Sequence, residues 1–220
     1  MSYFRHLLLA TTLLLWSLFG FTQDKFGYTP GMFELGVRST ASVFSHDGYP
    51  GLGTGGQFRI RINEYISTEW FTDYITTNIG GVGRRQDAHI GWSVMFYPLE
   101  NRDQIVVPYI LAGHCFDYTR VNSYHNFFFP PTEPAERWSS AIQMGLGTHF
   151  NLTKRLDLSL AAQYMAHLGN DIHTDIHQSV GPWGEMEYLV IEEHEGGFSL
   201  EGHLLITLSL NVKLGRLWQK

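Results

Sequence analysis

The stretch from Gly202 to Gly215 constrains the fold most strongly, because apolar and polar residues alternate along it. One set of alternate positions is entirely aliphatic: Leu204, Ile206, Leu208, Leu210, Val212 and Leu214. The positions between them are mostly polar: Leu205, Thr207, Ser209, Asn211 and Lys213. Successive side chains of a β-strand point to opposite faces, so this pattern predicts a strand with one apolar face. About ten residues with this repeat can cross a membrane as one strand of a tilted barrel.

A strand of this kind also fits a soluble β-sandwich, so the remaining segments must distinguish the two folds. The same alternation recurs in seven earlier segments, which brings the predicted number of strands to eight. In the fifth, around Val106 to Phe116, the two faces are less distinct, and we expect Tyr109 and Leu111 to point outward and His114 inward. An even number of strands with one apolar face each favours an outer-membrane barrel.

The predicted connections alternate between long and short along the chain, as in an up-and-down barrel with short periplasmic turns and long external loops. Glycine, proline and polar residues mark these connections. The short ones are Asn63 to Glu64, Pro98 to Gln104 and Thr153 to Arg155. The long ones are Ser45 to Gly55, Thr76 to Gln86, Thr119 to Arg137 and Gly169 to Phe198.

Composition excludes several classes of function. The net charge is −6 and no basic stripe is present, which argues against a nucleic-acid partner. Cys115 is the single cysteine, so an intramolecular disulfide and a CxxC metal or redox site are excluded. Aromatic residues make up 15% of the chain, which fits the aromatic belts of a membrane barrel.

The N-terminal segment predicts export. Arg5 and His6 precede the apolar run Leu7 to Leu18, and this order is typical of a signal peptide. We therefore divide the chain into a signal peptide (1–22), a lead-in (23–31), an all-β eight-stranded antiparallel transmembrane barrel (32–215) and a C-terminal tail (216–220). The predicted location is the bacterial outer membrane, as an integral protein that crosses it several times.

Two segments resemble parts of known proteins. Pro108 to Gly113 reads Pro-Tyr-Ile-Leu-Ala-Gly, and Gly147 to Leu158 reads Gly-Thr-His-Phe-Asn-Leu-Thr-Lys-Arg-Leu-Asp-Leu. Both are similar to segments of small outer-membrane β-barrels of Gram-negative bacteria, the broad superfamily that includes OmpX-like proteins and OmpA-like transmembrane domains. The resemblance covers most of the chain after the signal peptide and implies an architecture more than an activity.

Charged residues on the polar face are the first candidates for function. Eight of them are predicted to point into the lumen: Glu34, Arg38, Arg59, Arg61, Glu69, Asp73, Asp157 and Lys213. An eight-stranded barrel has an interior only wide enough for side chains, so charges held there must be paired. This set predicts a plugged core of ion pairs, with a small gated pore as the alternative.

Two further sets of residues are candidates for binding. Phe127, Phe128 and Phe129 lie in a predicted external loop, where three aromatic residues in a row suggest a segment that binds a partner or enters the lipid leaflet. Packing of these rings across the barrel mouth is the alternative. His167, Asp171, His173 and His177 are weak candidates for a transition-metal site, and His194 lies near them in sequence. The pattern favours the alternative, a solvated, pH-responsive acidic loop, over a metal site. His89, His114, His149 and His203 are expected to be hydrogen-bonded groups of the lumen.

The sequence therefore predicts a non-enzymatic outer-membrane barrel with a structural or accessory role, whose long loops bind a partner, as in a subunit of a larger outer-membrane complex. No cofactor is expected. The expected partners are outer-membrane lipid and lipopolysaccharide, an outer-membrane protein complex and, during biogenesis, the barrel assembly machinery. Two alternatives stay open: a narrow gated pore, and a barrel enzyme that modifies lipid A, for which His149, Ser159 and His167 are the nearest residues.

Overall fold

The computed structural model describes residues 29–44, 48–99, 104–124, 133–168, 171–181, 184–194 and 202–218. These residues form ten β-strands. Their bounds are β1 (Met32–Phe44), β2 (Pro50–Arg61), β3 (Ile66–Ile79), β4 (Gly83–Phe96), β5 (Val106–Ser123), β6 (Ala135–Asn151), β7 (Leu156–Leu168), β8 (Asp171–Gly181), β9 (Gly184–His194) and β10 (Gly202–Arg216).

Eight of the ten strands close into one antiparallel barrel, and this confirms the predicted fold class. The order around the barrel is β1-β10-β7-β6-β5-β4-β3-β2, so each strand pairs with its neighbour among the barrel strands and β1 pairs with β10 to complete the ring. The first predicted signal, the alternation on Gly202 to Gly215, lies on β10. Its outward side chains are exposed, as at Leu208, and its inward ones are buried, as at Asn211.

The predicted orientation of β5 was wrong. Tyr109 and Leu111 are buried in the lumen, whereas His114 is half-buried on the outer face. The sequence rule assigns apolar residues to the lipid side. It fails here because the lumen has an apolar core of its own at the end away from the outer mouth. Tyr109 and Leu111 pack there in one cluster with Met95, Tyr97, Val107 and Ala161.

The strands extend further than the sequence predicted. β2 begins at Pro50, within the predicted first loop. β5 ends at Ser123 and β6 begins at Ala135, and both of these residues lie within the predicted third loop. The second loop, predicted over Thr76 to Gln86, is a connection of residues 80–82 only. Gly80 and Gly81 have φ angles of 57° and 79° there, a left-handed backbone that glycine adopts without strain. The polar and glycine-rich ends of barrel strands are thus easily mistaken for loops.

The longest predicted loop, Gly169 to Phe198, contains β8 and β9. These two strands pair as an antiparallel hairpin in a sheet separate from the barrel. Ile172 of β8 and Leu189 of β9 pack with Ile79, Val121 and Ala135 at the end of the barrel that we call the outer mouth. The hairpin is therefore a lid on the lumen rather than a free loop.

No helix among these residues is long and apolar enough to span a membrane.

Candidate functional site: the lumen and its outer mouth

All eight charged residues predicted to face the lumen lie there, and each is at most 8% exposed. They come from five strands: β1, β2, β3, β7 and β10. Four are cations and four are carboxylates, so the set is neutral when all eight are ionised. Burial of charged groups is tolerated only when they are paired, and the contacts below supply that pairing.

Arg59 is the hub of the lower network, which lies away from the outer mouth. Its Nη1 lies 2.7 Å from Glu34 Oε2 and its Nη2 lies 2.8 Å from Glu69 Oε2. Glu34, Arg59 and Glu69 are direct partners in the register of β1, β2 and β3, so the strand pairing itself aligns the three side chains. Asp157 Oδ1 is 3.7 Å from Arg59 Nη1. One guanidinium on β2 thus binds carboxylates from three other strands.

Arg38 connects this network to the upper half of the lumen. Its Nε lies 3.0 Å from Asp73 Oδ1, and its Nη1 lies 3.6 Å from Glu69 Oε1. Arg38 and Asp73 belong to β1 and β3, which are separated by β2, and the residue between them in register is Gly55. Glycine is required there because a Cβ atom would overlap the Thr72 carbonyl oxygen and Asp73 Oδ1. Gly55 thus allows the guanidinium to pass over β2.

The remaining two predicted cations, Arg61 and Lys213, lie at the end of the barrel away from the outer mouth. Arg61 lies over the ring of Tyr97, 4.2 Å from its centroid, and donates a hydrogen bond to the carbonyl oxygen of Glu64. Lys213 Nζ donates to Asn151 Oδ1 at 3.0 Å and lies 4.0 Å from Asp157 Oδ2. Together with the apolar cluster around Leu111, these side chains fill the lumen at this end of the barrel.

His149 and Ser159, two residues considered for lipid chemistry, form a buried pair in the lower lumen. His149 Nδ1 is 2.6 Å from Ser159 Oγ, and His149 Nε2 is 3.1 Å from the hydroxyl of Tyr97. Tyr109 stacks on the His149 ring with centroids 4.4 Å apart. His149 has no exposed surface and Ser159 only 2%, so an acyl chain on the outer face does not reach them.

A second cluster, which the sequence interpretation did not identify as a unit, is centred on Asp117 of β5. Asp117 Oδ1 is 3.2 Å from His89 Nε2 and its Oδ2 is 3.2 Å from His167 Nδ1. His167 Nε2 lies 3.3 Å from His203 Nδ1. We call Asp117, His89, His167 and His203 the Asp117 cluster, and each member is at most 3% exposed.

Arginine and threonine side chains lie between the Asp117 cluster and the outer mouth. Thr119 Oγ1 donates to Asp87 Oδ1 at 2.7 Å, and Arg85 Nε lies 3.1 Å from the same oxygen. Arg137 Nη2 is 3.8 Å from Asp117 Oδ2. Arg85, Asp87 and Arg137 were missed because they fall at the edges of the predicted loops. Residues two apart on a strand share a face. Arg85 and Asp87 are spaced in this way with His89, and Arg137 with Ser139, so this spacing could have placed all three in the lumen.

The two predicted metal ligands whose side chains the structure describes, His167 and His177, lie in different places. His167 lies in the lumen, whereas His177 lies on the exposed face of the hairpin beside Tyr188. Asp171 and His173 are on β8, and their side chains lie outside the described residues. Among the described residues, no group of three or more potential ligands could hold a metal.

Phe127, Phe128 and Phe129 lie outside the described residues. The outer surface of the barrel, by contrast, is described in most strands and is apolar. Leu35, Ile90 and Leu146 are more than half exposed, and Phe58, Trp70 and Trp92 form a row of neighbouring rings with centroids 6.1 and 6.4 Å apart. Exposed apolar walls and aromatic rows are typical of a barrel surrounded by lipid.

Comparison with known proteins supports the same fold. No protein-family model and no curated protein sequence matches the chain. Its structure is similar to neisserial surface protein A (TM-score 0.52, 15% identity, covering 82% of this chain and 96% of that one). It is also similar to a major outer-membrane protein of Thermus thermophilus (TM-score 0.54, 10% identity, 82% and 98%) and to Ail, the attachment invasion locus protein of Yersinia pestis (TM-score 0.50, 12% identity, 84% and 99%).

These likenesses confirm, at the level of fold, the predicted resemblance to small outer-membrane barrels. The chain has the fold of integral outer-membrane β-barrel proteins, and the predicted outer-membrane location agrees with that fold and with the apolar outer wall.

Proposed function

We propose that this outer-membrane barrel is non-enzymatic and acts through its external surface, as a binding or accessory subunit that engages an outer-membrane partner. The observation that carries the proposal is the filled lumen beneath the β8–β9 lid. Buried ion pairs around Arg59 and apolar clusters occupy the interior, and Ile172 and Leu189 cover the outer mouth. A barrel with this interior leaves its outer end as the surface available for recognition.

The hairpin is the described external element best suited to recognition. Residues 171–194 contain six carboxylates and neither lysine nor arginine, although the whole chain has a net charge of only −6. Asp175, His177 and Glu187 are exposed on it, while Ile172 and Leu189 hold it against the barrel. A charged strand pair that is packed on the barrel meets a partner at a lower entropic cost than a flexible loop would.

The test is co-purification of the tagged protein from native outer membranes in mild detergent, followed by mass spectrometry. We expect a stoichiometric partner that is reduced at least about fivefold by Asp175→Lys together with Glu187→Lys, since reversed rim charges disfavour the encounter. The triple change of Phe127, Phe128 and Phe129 to Ser tests the predicted aromatic segment in the same way. Lys154→Glu, an exposed charge reversal on the turn between β6 and β7, is the matched control and should retain the partner.

A barrel that carries only lipid in this experiment would refute the binding role. Conductance in planar bilayers then tests the gated pore: steps altered by Glu34→Gln or Arg59→Gln would favour it. Analysis of lipid A from cells with and without the protein tests the enzyme, for which His167 and Ser159 are the residues to replace.

A further inference from the structure

The Asp117 cluster places three imidazoles around a single carboxylate in a buried part of the lumen. Asp117 bridges His89 and His167, and His167 contacts His203 on its other ring nitrogen. The rings of His89 and His203 are nearly parallel, with centroids 5.6 Å apart. Histidine gains its charge in the range just below neutral pH, so this is a group of side chains whose total charge depends on acidity.

The fixed charges around these imidazoles already balance one another. The carboxylates that face them are Asp73, Asp87 and Asp117, from β3, β4 and β5. Each has a guanidinium nearby: Arg38 is 3.0 Å from Asp73, Arg85 is 3.1 Å from Asp87, and Arg137 is 3.8 Å from Asp117. With neutral imidazoles these six groups carry no net charge. Asp117 lies 3.2 Å from both His89 and His167 and can offset one proton on these rings. Further protons add positive charge that none of the described carboxylates facing the cluster offsets.

The cluster lies below the lid, with the layer of Arg85, Asp87 and Thr119 between them. Asp117 and Val121 are four residues apart on the inward face of β5, and Arg137 and Ala135 are two apart on β6. Val121 and Ala135 are the residues on which Ile172 and Leu189 of the hairpin pack. The lid thus rests on the strand ends that the cluster holds together, and repulsion within the cluster acts first on those ends.

We propose that the Asp117 cluster is a pH-sensitive latch, in which protonation of its histidines at acidic pH loosens the β8–β9 lid from the outer mouth. At neutral pH the cluster is compact and the hairpin stays docked. In acid, repulsion among imidazolium and guanidinium groups separates the ends of β4, β5, β6, β7 and β10, and the apolar contacts of Ile172 and Leu189 are lost. This regulation goes beyond the proposed binding role and does not depend on it.

Hydrogen exchange measured by mass spectrometry, with the full chain in lipid nanodiscs, tests the latch. Protection of hairpin amides, corrected for the intrinsic effect of pH, should fall at least about tenfold between about pH 7.5 and 4, while amides of Gln57 to Trp70 keep their protection. The variant with His89, His167 and His203 all changed to Gln cannot gain these protons, so its hairpin should be equally protected at both pH values.

Two matched controls contain the same chemical change elsewhere. His149→Gln alters a buried histidine of the lower lumen, and His177→Gln alters an exposed histidine of the hairpin itself. Both should respond to acid as the unmodified protein does. If the triple variant does not fold, the single changes at His89, His167 and His203 serve instead, and each should reduce the response.

Three results would overturn the latch. One is hairpin protection that does not change with pH in the unmodified protein. Another is a triple variant that still responds, or, where it does not fold, three single variants that all respond fully. The third is a response abolished by His177→Gln alone, which would assign the effect to the hairpin rather than to the lumen.

Discussion

The two polar networks of the lumen are built on opposite arrangements of charge. In the lower network a single cation, Arg59, binds the carboxylates Glu34 and Glu69 at 2.7 and 2.8 Å. In the upper network a single carboxylate, Asp117, lies 3.2 Å from His89 and from His167. Arginine is always charged, whereas histidine is charged only in acid. Buried side chains of similar exposure thus give a permanent brace at one end of the barrel and a conditional one at the other.

The difference matches what each end of the barrel must do. The end of the barrel away from the outer mouth contains short turns and an apolar cluster. The outer mouth contains the β8–β9 lid, which packs on the barrel through an apolar cluster that includes Ile172 and Leu189. The Asp117 cluster, whose charge changes in acid, therefore lies at the end of the barrel that carries the lid.

The largest effect is expected from removal of the lower hub. Arg59→Met leaves Glu34 and Glu69 buried without their main cation, and we expect it to lower the free energy of unfolding by about 3–5 kcal/mol. Urea unfolding in lipid vesicles, followed by tryptophan fluorescence, measures this. Adding Glu34→Gln and Glu69→Gln to the variant should recover part of the loss. A cost below about 1 kcal/mol would mean that the lower network is not a brace.

Much of this arrangement could be predicted from sequence alone. Alternation placed Glu34, Arg59 and Asp157 in the lumen, because a one-residue shift would turn every lipid-facing side chain inward. His89 and His203 of the Asp117 cluster were predicted to face the lumen. Asp117, which joins the histidines, was not, because it lies on β5, whose two faces were assigned the wrong way round. The lid was not predicted because residues 171–194 are acidic in composition, which is typical of a loop. The alternation at Ile172, Thr174 and Ile176 is the signal that indicates a strand there.

A smaller effect is expected where the two networks meet. Gly55→Ala places a Cβ against Asp73 Oδ1 and the Thr72 carbonyl oxygen, so Arg38 can no longer cross β2 without a backbone shift. We expect a loss of about 1–3 kcal/mol in the same unfolding assay. Gly56→Ala is the matched control, because its Cβ would face outward with the nearest atom, the Gly36 carbonyl oxygen, at 3.7 Å. If Gly55→Ala and Gly56→Ala lowered the free energy of unfolding equally, the proposal that Gly55 lets Arg38 cross β2 would be wrong.

The smallest effect is expected from an ion pair outside the lumen, and it provides the reference for the other two. Arg120 Nε lies 3.5 Å from Glu136 Oε1, and both side chains are nearly half exposed. An exposed pair gains little over hydration, so Arg120→Gln should change the free energy of unfolding by less than about 0.5 kcal/mol. Because Arg120 and Arg59 are the same residue type, the gap between the two variants isolates the contribution of burial. If Arg120→Gln cost as much as Arg59→Met, the stabilising role would belong to arginine in general and the contrast between lumen and surface would fail.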